Sequence, residues 1–234
     1  IMPNAFFLRP DNLNGNSFTL DKKESHHASH VFRLGPGDMI SLLNGEGLGY
    51  EAIIEAVDKG IIHGRVESLT EQMGENSNEI IIAPAIIKRD RFEGLIEKAT
   101  ELGVKEIHPL LTERCTKKTI NMERCKKIIV ASAKQCQRSH FPIVHKPKPI
   151  IHWLKESREQ CFAGIVDSTN RLTNFKYNKK MPIHVVIGPE GDFSLKELDS
   201  MKHAGVKLFS LGNRRLRAET AAQASLSILN ELLT

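Results

Sequence analysis

The chain has few of the residues and motifs that mark metalloproteins, exported proteins and membrane proteins. It carries four cysteines, Cys115, Cys125, Cys136 and Cys161, and no two of them form a C-x-x-C pair. A thiolate zinc site is therefore not expected, and neither are disulfides in a chain without an export signal. No uninterrupted apolar run approaches the ~20 residues of a membrane-spanning helix. The apolar part of the opening segment, Ala5-Phe6-Phe7-Leu8, is too short for a secretory signal. A cytoplasmic protein without a membrane partner is expected. The phosphate loop G-x-x-x-x-G-K-[ST] is missing. Gly45-Glu46-Gly47-Leu48-Gly49 misses the G-x-G-x-x-G spacing and lies in a β-rich stretch, where it reads as a hairpin turn. These absences weigh against an ATPase and against a nicotinamide dehydrogenase. His26 and His30 share a helical face at i, i+4, but His27 and Ala28 follow His26, so H-E-x-x-H is absent too. No metal is expected.

What is present is an ordinary globular composition, 40% hydrophobic and 26% charged, with a basic balance of +5 and a pI near 9.0. That balance favours a polyanionic partner such as nucleic acid.

Residues 1–72 differ from the rest. Gly35-Pro36-Gly37-Asp38 is a turn signal before the strand candidate Met39 to Leu43, and Ala52 to Val57 and Ile61 to Val66 continue the strand series. One helix intervenes over about Lys22 to Phe32, with Asp21 as cap and Glu24 placed for a capping box. A small β-barrel with one or two helices is the expected architecture. Thr70 to Asn78 is polar, lacks periodicity and reads as a linker.

From Glu79 the pattern is β/α. Strands are expected at Ile80 to Ile87, Ile107 to Leu111, Ala163 to Asp167, Ile183 to Ile187 and Val206 to Leu211. Helices are expected over about Arg89 to Leu102, Met122 to Arg138, Ser194 onward with a Ser-x-x-Glu capping box, and Ala218 to Leu233.

Two strand-to-helix corners in this half carry the chemistry. The first is Ile187-Gly188-Pro189-Glu190-Gly191-Asp192-Phe193-Ser194, and the second is Leu211-Gly212-Asn213-Arg214-Arg215-Leu216-Arg217-Ala218-Glu219-Thr220-Ala221. Ligands of α/β domains collect at the carboxyl ends of parallel strands. The glycines permit tight turns and close approach to the main chain. Glu190 argues against phosphate as the ligand of the first corner, and three arginines crowd the second. Arg89, Arg114 and Arg138 lie near other strand and helix ends; if these loops converge, they form a basic rim suited to a phosphate backbone.

The two corners resemble the signature of the RsmE family, the ribosomal small-subunit RNA (uracil-N3) methyltransferases of the SPOUT superfamily. Four further segments extend the resemblance in order along nearly the whole chain: His26 to Asp38, Glu97 to Val104, Thr112 to Cys115 and Lys134 to Arg138. The resemblance implies an α/β SPOUT-type methyltransferase domain with a C-terminal deep trefoil knot over residues 73–234. A small PUA-like β-barrel that holds RNA, over residues 1–72, would precede it. It implies S-adenosyl-L-methionine as cofactor, a homodimer, and 16S ribosomal RNA or the small ribosomal subunit as partner. Cofactor contacts are then expected from Ile187, Gly188, Pro189, Glu190, Gly191, Leu211, Gly212, Leu216, Thr220 and Ala221. Arg217 is the first candidate for stabilising charge on the base, with Arg214 next, and Glu219 either orients Arg217 or accepts the proton. Arg9, Arg33, Arg89, Arg114 and Arg138 are expected to grip RNA. Asp192 stands where the family usually has a further Gly, and Asn213 where Pro is common; Asp192 fits without strain if its φ is negative. The other readings are a SPOUT enzyme acting on transfer RNA or on a ribose 2′-hydroxyl, and a non-catalytic RNA-binding protein.

Overall fold

The computed structural model describes residues 3–156 and 159–233. Its chain gathers around two separate cores. One unit comprises the chain up to Glu75 together with Val130–Phe141, and the other comprises Asn76–Ile129 and the chain from Pro142 onward.

In the first unit, alternating apolar residues build one six-stranded sheet. Its strands are β1 (Ala5–Phe7), β2 (Leu13–Asn14), β3 (Ser17–Thr19), β4 (Met39–Leu43), β5 (Leu48–Asp58) and β6 (Ile61–Glu71), in the order β1-β4-β5-β6-β3-β2. Every pairing except β1 with β4 is antiparallel. The hairpin joining β5 to β6 turns on Lys59 and Gly60, both at positive φ, as a two-residue loop requires. Phe6, Phe18, Ile40, Leu42, Ile54 and Ile62 form the core of this unit. Strand β6 runs to Glu71, into the segment that reads as linker from its composition.

Helix α1 (Lys22–His26) continues as one π-helical turn over His27–Val31. Asp21 caps it by accepting from the Glu24 backbone N–H at 2.9 Å. The second half of the expected capping box does not form. Glu24 is buried, and its carboxylate instead accepts from the Phe7 N–H at 3.1 Å and from Lys134 Nζ at 2.8 Å.

The second unit holds a six-stranded parallel sheet of β7 (Ile80–Pro84), β8 (Glu106–Ile107), β10 (Ile143–Val144), β12 (Cys161–Gly164), β13 (Ile183–Ile187) and β14 (Lys207–Phe209). Their order is β10-β8-β7-β13-β12-β14. All five residues of β7 are buried, as expected for a central strand of a sheet covered on both faces. The stretch expected as one strand from Ile107 to Leu111 breaks at Pro109, which has no N–H to give a ladder. The remainder, β9 (Leu110–Leu111), leaves the main sheet and pairs with β11 (Lys148–Pro149).

Helix α2 (Arg89–Glu101) buries Phe92, Leu95, Ile96 and Ala99 along one face. Gly103, at φ +86°, ends it while its N–H bonds the Thr100 carbonyl. Helix α3 (Met122–Gln135) stops short of Arg138 because Gln137 is left-handed at φ +56°. Helices α4 (Ile150–Trp153), α5 (Leu195–His203) and α6 (Ala218–Leu233) complete the unit. The capping box of α5 is complete: Ser194 Oγ accepts from the Glu197 N–H at 3.3 Å, and Glu197 Oε2 accepts from the Ser194 N–H at 2.8 Å. No helix among the described residues is long and apolar enough to cross a membrane.

Candidate functional site

Strand register creates the site. Gly164, the last residue of β12, lies opposite Ile187 at the end of β13 and opposite Phe209 at the end of β14. Three parallel strands therefore stop at one level, and three loops leave the sheet side by side. Ile165 remains bonded to the Phe209 carbonyl at 2.8 Å, and the Ser210 N–H bonds Asn170 O at 2.8 Å. Between these loops and the start of α6 is a cleft that opens to solvent.

Of the cofactor contacts expected from sequence, Ile187, Gly188, Pro189, Glu190, Leu211, Gly212, Leu216 and Ala221 line the cleft, whereas Gly191 and Thr220 do not. Of the catalytic candidates, Arg214 lines it and Arg217 and Glu219 flank it in sequence on either side of the lining residue Ala218. The sequence reading missed the third wall. Gly164, Ile165 and Val166 belong to the cleft, because β12 ends at Gly164 and not at Asp167.

Two glycines shape these corners. Gly212 sits at φ +125°, where L side chains are strained, and a Cβ on Gly188 would come within 3.0 Å of the Phe193 ring. Asp192 does not take the negative φ that would leave it unstrained. It is left-handed at φ +62°, a conformation Asp tolerates, and its Oδ1 accepts from the Phe193 N–H at 2.8 Å. Arg215 Nη2 donates to the Glu190 carbonyl and Arg114 Nη1 to the Gly191 carbonyl, each at 2.6 Å. Arg114, expected on an RNA rim, thus pins the first corner.

Arg91, on the first turn of α2, was not anticipated as a partner of Glu190 or Glu219. Its Nη1 donates to Glu190 Oε1 at 3.1 Å, and its Nε forms an ion pair with Glu219 Oε1 at 3.7 Å. The other oxygen of that carboxylate, Glu219 Oε2, is buried and accepts no hydrogen bond among the described residues. The Arg217 side chain is exposed and makes no hydrogen bond or ion pair with the described residues.

Among the remaining cations, Arg9, Arg33 and Arg89 are exposed. Arg138 is not on any rim. It is 1% exposed, and its Nη2 donates to Glu75 Oε2 at 2.7 Å. His26 and His30 stack at 4.2 Å between ring centroids, and among the described residues no third metal-ligating side chain joins them.

The cleft suits an adenosine-bearing sulfonium better than a phosphate ester. Its walls are mainly apolar, from Ile165, Val166, Pro189, Leu211 and Leu216, with main chain open at the glycine corners. Glu190 adds negative charge. The family model described as RNA methyltransferase domain matches residues 74–230, and that described as RNA methyltransferase PUA domain matches residues 20–67. The chain belongs to the RNA methyltransferase family. A curated member of this family, ribosomal RNA small subunit methyltransferase E of Rickettsia conorii, is 30% identical over 201 residues, covering 84% of this chain and 82% of the relative. The solved methyltransferase E of Neisseria gonorrhoeae, bound to S-adenosylmethionine, superposes with a TM-score of 0.90 at 25% identity over 99% of this chain and 98% of that one. A methyltransferase of Legionella pneumophila with the same cofactor gives 0.88 at 29% identity over 99% and 98%. These likenesses establish the SPOUT-type α/β fold preceded by a PUA-like domain.

Proposed function

We propose that this RNA methyltransferase transfers the methyl group of S-adenosylmethionine to N3 of a uridine in 16S ribosomal RNA of the small subunit. The observation that carries the reading is the cleft where β12, β13 and β14 end together, in a chain similar throughout to methyltransferases solved with that cofactor. The first unit, the chain up to Glu75 with Val130–Phe141, acts as the RNA-holding domain and the second as the transferase domain, whose C-terminal segment is threaded as a trefoil knot. The enzyme works in the cytoplasm as a homodimer, by likeness to its family.

When bound, S-adenosylmethionine supplies an electrophilic methyl group. Main-chain groups at Ile187, Gly188, Leu211 and Leu216 hold its adenosine, and Glu190 meets a hydroxyl or the amino group. Holding nucleophile and methyl in line supplies much of the rate. Uracil N3 carries a proton between two carbonyls, and that proton has to leave before the lone pair can attack. Glu219 takes it on Oε2, the oxygen that no described group satisfies. Arg91 on Oε1 fixes the carboxylate's orientation. Negative charge then spreads to O2 and O4 of the base, and the uncommitted Arg217 guanidinium stabilises it. Arg214 lies in the cleft wall as a second cation. The base enters unpaired or flipped out of its stack. Exposed Arg9, Arg33 and Arg89 hold neighbouring phosphates.

The test is methyl transfer from labelled S-adenosylmethionine to small subunits and to naked ribosomal RNA, with the product base identified by mass spectrometry. N3-methyluridine is expected. Arg217→Ala is expected to lower turnover with cofactor affinity nearly intact. A different methylated base would overturn the substrate, and a full-speed Arg217→Ala enzyme would overturn that residue's role.

A further inference from the structure

At the other edge of the same sheet, three side chains that the reaction does not use converge. Strand β8 runs parallel to the edge strand β10, with Glu106 opposite Ile143 and Ile107 opposite Val144. One step further, His145 extends the ladder by donating its N–H to the Ile107 carbonyl at 2.9 Å, which brings it beside His108. Side chains two residues apart on a strand share a face, so Glu106, His108 and His145 all project on one side. The imidazoles stack with centroids 4.0 Å apart and planes 19° from parallel. Both direct Nε2 at a single carboxylate oxygen: Glu106 Oε2 is 3.0 Å from His108 and 2.6 Å from His145. Trp153 flanks His108 edge-on at 6.1 Å.

We propose that Glu106, His108 and His145 bind one divalent transition-metal ion of the zinc class. This departs from the expectation, drawn from cysteine and H-E-x-x-H patterns, that the chain holds no metal. Two imidazoles and a carboxylate form a three-ligand set for zinc that leaves one coordination position for water. The donor atoms of the three lie within 4.8 Å of one another. With metal–ligand bonds of about 2.05 Å, donors in a tetrahedral site stand about 3.3 Å apart. The two contacts at Glu106 Oε2 therefore open by less than about 1 Å as the ion replaces the bridging protons. Solvent reaches the fourth position, because the side chains of His145 and Glu106 are 40% and 34% exposed. The ion would fasten the two-residue edge strand β10 to β8, and so acts as a structural clip remote from methyl transfer. Its three ligands take no part in substrate recognition or methyl transfer.

The experiment is calorimetric titration of the chelator-stripped full chain with Zn²⁺, repeated for His145→Gln, Glu106→Gln and His30→Gln. One equivalent is expected to bind with a dissociation constant in the micromolar range or tighter. His145→Gln and Glu106→Gln are each expected to weaken it at least tenfold, and His30→Gln to leave it unchanged. Zn²⁺ should also raise the melting temperature of the wild-type chain and not that of His145→Gln, since an ion that binds only the folded state stabilises it. Circular dichroism of each unliganded variant separates lost ligation from lost fold, and the exposed His145 is the variant least able to unfold the sheet. Absence of binding, equal binding by His145→Gln, or loss of binding in His30→Gln would overturn the site.

Discussion

The Nε of Arg91 stands 3.7 Å from Oε1 of Glu219. Arg91 belongs to the first turn of α2 and Glu219 to the first turn of α6, so this contact joins the starts of two helices. Arg91→Met keeps an unbranched apolar stem and removes the charged head. Turnover is expected to fall by about tenfold or more, as befits a residue that positions a proton acceptor. The pair is partly exposed, so stability should change by no more than about 1 kcal/mol. Single-turnover rates and a melting curve separate the two effects, and a variant that loses stability but not rate would assign Arg91 a purely structural place.

Gly212 and Gly188 make different demands on the cofactor corners. At φ +125°, Gly212→Ala must hold a strained backbone, at a cost of about 1–3 kcal/mol. Gly188→Ala meets only the edge of the Phe193 ring at 3.0 Å, which can shift slightly. Calorimetry with S-adenosylmethionine should therefore show a larger loss of affinity for Gly212→Ala than for Gly188→Ala.

Glu75 and Arg138 form a buried ion pair whose side chains are 0% and 2% exposed. Glu75 also accepts from the His140 N–H at 3.0 Å. Glu75→Ala leaves a guanidinium buried opposite an empty space, and destabilisation of about 3–5 kcal/mol is expected from denaturant unfolding. A melting curve like that of the wild type would show that Arg138 escapes to solvent.

The two tyrosines give a spectroscopic pH test. Burial pushes the Tyr177 hydroxyl up to about 12, and its OH donates to the Leu172 carbonyl at 2.6 Å. Burial also raises Tyr50. An unfolded tyrosine titrates near 10. The folded form thus holds its proton more tightly, and the stability this contributes is complete below pH ~10 and is lost as pH rises toward ~12. At pH ~10.5 the native chain should show little tyrosinate absorbance and the denatured chain should show most of it.

Much of the site was legible because it is local. A strand, a glycine corner and a helix cap follow one another within a few residues at 187–194 and at 211–221, and their turn chemistry is written in those residues. What was illegible depends on pairing across long stretches of chain. Ile165 and Val166 read as strand, yet they wall the cleft because β12 stops where β13 and β14 stop, a matter of register between distant segments. Arg138 read as a rim cation because its partner Glu75 lies 63 residues earlier. Nothing local ties Arg91 to position 190 or 219. His108 and His145 are separated by a long helix, and only the parallel pairing of β8 with β10 brings them together. At Asp192 the sequence allowed a strain-free solution, but its side chain bonds the next N–H and holds the left-handed turn.

The common level at which β12, β13 and β14 end also fixes when the protein becomes able to bind. Strand β14 joins the sheet outside β12, and its loop supplies Ser210, Leu211 and Gly212, one of the three walls. A chain still emerging from the ribosome has no cleft until residues beyond 212 are free to pair. Such long-range closure is slow compared with local helix formation. Ligand capture is therefore a late event in the life of each molecule, and it favours those copies whose sheet is complete.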